Sequence, residues 1–330
     1  MTPRRWAVIG SNCFTGSHIV DALLDDGATE VIGISRSPEY APMFLPYKRH
    51  DSARFQFHQI DMVRRFDETA ALLDRLRPGV VVNVAALSEV GLSNERPVEY
   101  FDINTTAVVR LCNHLRTCGY LERYVHISSA EILGSCQRPM AEDAPFHPST
   151  PYAVSKAAAD HYLNVLIRNF GFRATMIRST NVYGAHQQLF KIIPRAIIFL
   201  RLGQTIELHG GGHAIKHFVH IRDVVRGLLA SVERGGAGTY HLTSGNSDTV
   251  AQVVARVCAA MGHRAEEATR VVGERLGQDT RYWLDCSKAE RELDWRERES
   301  FDQGIRDTIA WVDEHWEAIQ QAPLTYVHKA

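Results

Sequence analysis

The feature that most constrains this chain is a glycine-bearing turn between its first apolar strand and its first helical stretch. Trp6-Ala7-Val8-Ile9 runs into Gly10-Ser11-Asn12-Cys13-Phe14-Thr15-Gly16, and a helical pattern follows from Thr15 to Leu24. Such a turn aims backbone N–H groups and the positive end of a helix at one spot, where an anion is welcome. In the first strand-helix unit of an alternating chain it predicts a dinucleotide pyrophosphate site. The spacing is G-x-x-G-x-x-G with Cys13 in the middle place. No base adjoins Cys13 in sequence, so its sulfur reads as a packing atom under a cofactor rather than a nucleophile.

The alternation continues through the first half. Val31-Ile34, Phe55-Phe57, Val80-Val84, Tyr124-Ile127 and Ala174-Ile177 read as buried strands. Helical spacing runs from Asp67 to Leu76, Val98 to Cys118 and Tyr152 to Asn169. After Tyr183-Gly184 the texture changes. Helices are predicted over Leu189 to Leu202, Asp223 to Glu233, Thr249 to Met261 and Phe301 to Ile319, with Phe218-Val219-His220 extended. The fold class is α/β: a Rossmann-type doubly wound parallel sheet with a smaller C-terminal α+β substrate domain. The expected division is residues 1–184 for the dinucleotide domain and 185–330 for the mainly substrate-binding one, with a strand near Thr239 to Leu242 returning to the main sheet.

Composition narrows the partners. Lys+Arg number 37 against 38 Asp+Glu, so no global field draws nucleic acid or an anionic membrane. No apolar run approaches the roughly 20 residues that span a bilayer. Six scattered cysteines without a C-x-x-C pair, behind a start that is not signal-like, fit a cytoplasmic protein. The 16 histidines form no H-E-x-x-H or Cys/His cluster, and no metal is expected.

Several residues suit a nicotinamide cofactor. Ser35-Arg36 stands where an acidic residue would hold the ribose of NAD, and a hydroxyl beside a guanidinium suits a 2′-phosphate, so NADP is preferred to NAD. The alternative is that Arg36 stacks on adenine. Asp61-Met62 would flank the adenine, and Ala85-Ala86 would pass under the ribose and nicotinamide. Tyr152 and Lys156, four apart at a helix start, share one face. The ammonium is expected to lower the phenol pKa and to reach the nicotinamide ribose, while Ser129, in the Ser128-Ser129 pair after the fifth strand, shares the substrate oxygen.

With the loop, the serine and Tyr-x-x-x-Lys in order, the chain resembles the extended short-chain dehydrogenase/reductases that act on nucleotide sugars. Pro151-Tyr152-Ala153-Val154-Ser155-Lys156, Arg178 to Gly184, Arg275 to Asp279, Asp285 to Ala289 and Glu292 to Trp295 look like the nucleoside-diphosphate-hexose 4,6-dehydratases. The resemblance implies a tightly bound, regenerated cofactor and a 4-keto-6-deoxy sugar nucleotide as product. It assigns the C5 proton to Glu131. The dTDP-glucose enzymes carry Thr-Asp-Glu where this chain has Ser129-Ala130-Glu131, so the acid at C6 is missing; Glu131 in both roles, or Glu89, would have to replace it. Ser88 and Glu89 stand near the sugar, Asn181 would donate to the diphosphate with Lys216, Arg275 and Arg281 as nearby cations, and Asp279 would accept from the ribose. Glucuronate decarboxylases and sugar epimerases share most of these segments and remain alternatives, as does a dinucleotide-binding sensor without catalysis. The long helices Val98 to Cys118 and Tyr152 to Asn169 predict a homodimer with a four-helix interface.

Overall fold

A computed structural model of the chain describes residues 4–26, 29–273, 279–326 and 328. The strands are β1 (Arg5–Ile9), β2 (Glu30–Ser35), β3 (Phe55–Gln59), β4 (Val80–Asn83), β5 (Arg123–Ile127), β6 (Ala174–Ser179), β7 (Asn181–Tyr183), β8 (Ile206–His209), β9 (Ile215–Lys216), β10 (Phe218–His220), β11 (Gly238–Leu242), β12 (Asp248–Thr249) and β13 (Thr269–Val272). The helices are α1 (Phe14–Asp25), α2 (Phe66–Leu76), α3 (Val90–Ser93), α4 (Pro97–Phe101), α5 (Ala107–Leu115), α6 (Pro151–Phe170), α7 (Ile192–Arg201), α8 (Ile221–Glu233), α9 (Val250–Ala260), α10 (Ala265–Ala268), α11 (Ser287–Leu293), α12 (Phe301–Glu314) and α13 (Trp316–Gln320).

Seven strands form one parallel sheet in the order β11-β6-β5-β4-β1-β2-β3. Strand residues alternate between its faces. Trp6, Val8, Val31, Val82 and Val125 pack with α1 and α8, whereas Ala7, Ile9, Ile32 and Val81 pack with α2, α5 and α6. Burial on both faces is why these strands read as continuous apolar runs rather than polar-apolar alternation. Chain order reverses between β1 and β4, and a doubly wound sheet opens its binding crevice at the carboxyl ends beside such a point.

A third core, built on Ile193 and Ile197 of α7, Val254 and Val257 of α9 and Trp311 of α12, lies in the C-terminal half of the chain. Strands β7 and β10 pair in parallel, with Phe218 opposite Asn181, so the segment after the main sheet is tied to the far wall of the crevice.

Two expected helices are divided. The stretch from Val98 becomes α4, a π-helical turn at Asp102–Thr106 and α5, which ends at Leu115. The cause is Asn104, fully buried, which accepts from Leu87 N and donates to the Leu87 carbonyl and Ser155 Oγ, each at 3.0 Å. A π turn inside a helix often marks a functional wall, and here it pins the loop after β4 against α6. The last helix breaks at His315 into α12 and α13.

Candidate active site

The glycine turn is set by close contact. Gly10 has φ +91°, and a Cβ there would stand 2.7 Å from Ala85 N. A Cβ on Gly16 would stand 2.1 Å from the Gly10 carbonyl oxygen. Cys13 replaces glycine without strain because it sits extended, φ −78° and ψ 163°, as the cap of α1, its Sγ accepting from Gly16 N. Burial pushes the thiol up to about 11, so it is no nucleophile at neutral pH.

Two cavities meet at Cys13 and Ala86. The smaller, about 320 Å³, is lined by Gly10, Asn12, Ser35, Arg36, Asp61, Met62 and Ala85. The larger, about 900 Å³, is lined by Phe14, Thr15, Ser88, Glu89, Ser129, Glu131, Tyr152, Lys156, Asn181 and Lys216 among others. An elongated dinucleotide fits this pair, its diphosphate crossing at the N-terminus of α1. The buried Asn12 Oδ1, without a hydrogen-bond partner, leaves one free acceptor on the turn. Gly16 lines neither cavity; its part is to let α1 close against the turn.

Ser35 lines the smaller cavity with Arg36 and also serves the turn. Its hydroxyl accepts from Asn12 N at 3.1 Å and pairs with Ser11 Oγ at 3.3 Å, which holds the turn to the end of β2. Arg36 stays exposed on the rim, and Arg64 lines the same end.

Thr150 caps α6 by accepting from Ala153 N, Pro151 occupies the first turn, and Tyr152 and Lys156 follow on one face. Tyr152 is 8% exposed and lines the larger cavity with Ser129, whose hydroxyl accepts from Glu131 N at 3.1 Å. The phenol was expected to be lowered by Lys156. Instead burial raises its pKa, and the Glu131 carboxylate raises it further. Lys156 donates to the Ile127 carbonyl at 2.6 Å and lies 3.3 Å from His126 Nε2. Burial lowers its pKa to about 8 against the opposing pull of Asp160. Asp160 is itself buried and accepts from Ser128 Oγ at 2.8 Å and Arg178 Nε at 3.0 Å. This network fixes the floor of the cleft, because a paired buried charge is costly to disturb.

Glu131 sits at the start of the turn after β5 with Oε2 enclosed and without a hydrogen-bond partner. Desolvation lifts its pKa to about 7, against the attraction of Lys216. Glu89 lies 3.6 Å from Lys191 as an ion pair. Lys216 is buried, donates to the Asp279 carbonyl at 3.0 Å and packs 4.5 Å over the Tyr282 ring.

Two expected substrate contacts do not reach the cavity wall. Asp279 turns inward, its carboxylate accepting from Ser135 at 2.8 Å, Ser149 at 2.7 Å and Tyr282 at 3.0 Å, which occupies both oxygens. Arg281 stacks 3.6 Å over Trp283 and donates to Ser247. Arg275 lies outside the described residues. Conversely, Arg195 and Tyr326 line the cavity without having been singled out. Arg195 follows Lys191 by four residues on α7, a readable signal. Tyr326 has none: it arrives from the C-terminal segment, edge-on to Phe190 at 5.3 Å, and His328 next to it meets Glu99 Oε2 at 2.8 Å.

A dinucleotide crevice at the switch point, with serine, tyrosine and lysine converging on its inner end, defines an extended short-chain dehydrogenase/reductase. A model of the family described as GDP-mannose 4,6 dehydratase matches residues 8–308. The dTDP-glucose 4,6-dehydratase of Haemophilus influenzae is 28% identical over 326 residues, 92% of this chain and 96% of that protein. DesIV, a dTDP-glucose 4,6-dehydratase from Streptomyces venezuelae solved with NAD bound, aligns with TM-score 0.85 and 30% identity over 95% of this chain and 98% of its own. MoeE5, solved with UDP-glucuronic acid and NAD, aligns with TM-score 0.83 and 27% identity over 94% of this chain and 99% of its own. The chain belongs to the GDP-mannose 4,6 dehydratase family. Among the described residues no helix is long and apolar enough to cross a membrane.

Proposed function

We propose that this chain is a nucleoside-diphosphate-hexose 4,6-dehydratase that releases a 4-keto-6-deoxy sugar nucleotide. The observation that carries the reading is Glu131, a half-buried carboxyl with one enclosed oxygen and a pKa near neutrality, in the same cavity as Tyr152, Ser129 and Lys156. A simple C4 epimerase has no use for such a group.

Gly10, Asn12, Ser35, Asp61, Met62 and Ala85 would hold the adenosine end of a nicotinamide dinucleotide, Cys13, Phe14 and Thr15 its diphosphate, and Ala86, Tyr152 and Lys156 its inner end. A nicotinamide dinucleotide held there would supply hydride transfer, out of C4 of the sugar and back to C6, so that no reducing equivalent would leave. Tyr152 takes the C4 hydroxyl proton, with Ser129 holding the same oxygen. Glu131 as carboxylate removes the C5 proton, which the new C4 ketone acidifies. It then delivers that proton to the departing C6 hydroxyl, water leaves, and once hydride has reached C6 the carboxyl, recharged from solvent, gives C5 its proton. One carboxyl titrating near 7 serves as base and acid in turn, so Ala130 needs no replacement.

Arg36, beside Ser35 in the lining of the adenosine cavity, favours NADP. NADP affinity should fall in Arg36→Ala while NAD affinity holds; equal losses would remove the preference. Asn181, Lys191, Arg195 and Lys216 bind the diphosphate and base. The protein acts as a homodimer through α4 and α6, which expose Val98 at 71%, Val154 at 39% and Val165 at 39%. Six unpaired cysteines suit the cytoplasm.

The deciding experiment incubates the enzyme with a panel of nucleotide sugars and reads product mass. Loss of one water is expected. Loss of carbon dioxide from a uronate, or an unchanged mass, would replace the reading with decarboxylation or epimerisation.

A further inference from the structure

Away from the cleft, three side chains converge that the reaction does not use. Asp74 lies near the end of α2. His114 stands in the last turn of α5, and Cys118, four residues on, projects from the same side. His114 Nε2 is 3.0 Å from Asp74 Oδ1; Cys118 Sγ is 3.6 Å from that oxygen and 3.6 Å from the same ring nitrogen. Tyr120 donates to the carboxylate oxygen at 3.0 Å, and Phe66 packs edge-on to the imidazole.

A second trio, Asp21, Asp25 and His50, is similarly close. There Arg49 already neutralises both carboxylates, at 2.8 Å and 2.7 Å, so it is an ion-pair cluster. Among the described residues no Lys or Arg nitrogen comes within ion-pair distance of Asp74; Arg77 lies instead over the Tyr120 ring at 5.6 Å.

One thiol, one imidazole and one carboxylate form a donor set of borderline softness, the kind zinc takes. With zinc bonds of about 2.0–2.2 Å to nitrogen and oxygen and about 2.3 Å to sulfur, tetrahedral donors lie about 3.3–3.8 Å apart. Separations of 3.0, 3.6 and 3.6 Å come close to one face of that tetrahedron. We propose that Asp74, His114 and Cys118 bind a zinc-class divalent metal, with water in the fourth position. On binding, the thiol proton passes to solvent and His114 keeps its proton on Nδ1, leaving Nε2 to coordinate.

The metal would clip α2 to the end of α5. The same helical run begins with α4 and the π turn, whose Asp102 and Ile103 wall the adenosine end of the cleft. The clip braces that wall from behind. It also revises the expectation of no metal, since His114-x-x-x-Cys118 is an incomplete motif in sequence and its third donor sits 40 residues earlier on another helix.

The test titrates tag-free protein with Co²⁺ alone. A thiolate-to-cobalt charge-transfer band should saturate at one equivalent, vanish in Cys118→Ser and need at least about tenfold more metal in His114→Ala and Asp74→Asn. Zn²⁺ should displace the band and raise Tm. The variants should keep wild-type turnover of sugar nucleotide, because none of the three touches the cleft. Asp74→Asn, shape-conserving and half-exposed, serves if the Cys118 variant does not fold. A wild-type protein without a saturable band, or a band that persists in Cys118→Ser, would overturn the proposal.

Discussion

The two ends of the cleft are built on different principles. The cofactor end is largely backbone: a turn held by Gly10 against Ala85, capped by Cys13 and laced to β2 through Ser35. The inner end is made of charged side chains taken out of water, with Glu131 lifted to about 7 and Lys156 lowered to about 8 by burial. Backbone geometry holds a ligand irrespective of pH, whereas desolvated charges supply protons near neutrality. Binding and chemistry are thus assigned to separate materials along one crevice.

Substitutions at each end should separate these roles. The largest effect is expected at the inner end: Tyr152→Phe should cut turnover by about 10²–10⁴-fold, the range for losing a general base. Bound cofactor should remain, as a fluorescence titration would show; parallel loss of both would merge the two ends. Gly10→Ala should do the reverse. Its Cβ meets Ala85 N in a backbone conformation alanine rarely adopts, a strain of about 1–3 kcal/mol, so cofactor affinity should drop at least about tenfold with the C5 chemistry of any loaded fraction unchanged.

Lys216→Met should come next. It removes a buried cation from the substrate cavity, so KM should rise about tenfold while kcat moves less, the signature of lost ground-state binding. Asp279→Asn should have the smallest effect on substrate. Its carboxylate serves Ser135, Ser149 and Tyr282, so the change should appear as a Tm loss worth about 1–3 kcal/mol. A KM shift as large as that of Lys216→Met would return Asp279 to the cavity wall.

The contrast also explains what was readable in the chain. Strand, turn and helix at the cofactor end are contiguous, so one stretch of sequence discloses both the elements and their site. Even the odd residue, Cys13, is legible once its extended backbone shows that no glycine was needed. The inner end gathers residues from β5, α6, α7, β9 and the C-terminal segment, and sequence order says nothing about which way Asp279 or Arg281 turns. Hydroxyl partners contributed by Ser135 and Ser149, more than a hundred residues away, drew Asp279 inward. Helix continuity failed at Asp102–Thr106 for a similar reason: Asn104 is committed to a loop and to α6, and periodicity does not register such tertiary bonds.

The account turns on Glu131 as the group that removes the C5 proton and later hands C5 a proton drawn from solvent. Its folded pKa stands above the ordinary carboxylate value, so it is protonated in acid and becomes the base as pH rises through about 7. Exchange of the C5 hydrogen with deuterated solvent, followed by mass across that range, reads this directly. The prediction is a wild-type rate that climbs through neutrality and a Glu131→Gln enzyme that still oxidises C4 but exchanges C5 at least about 10²-fold more slowly. Normal exchange in the Gln variant would contradict it.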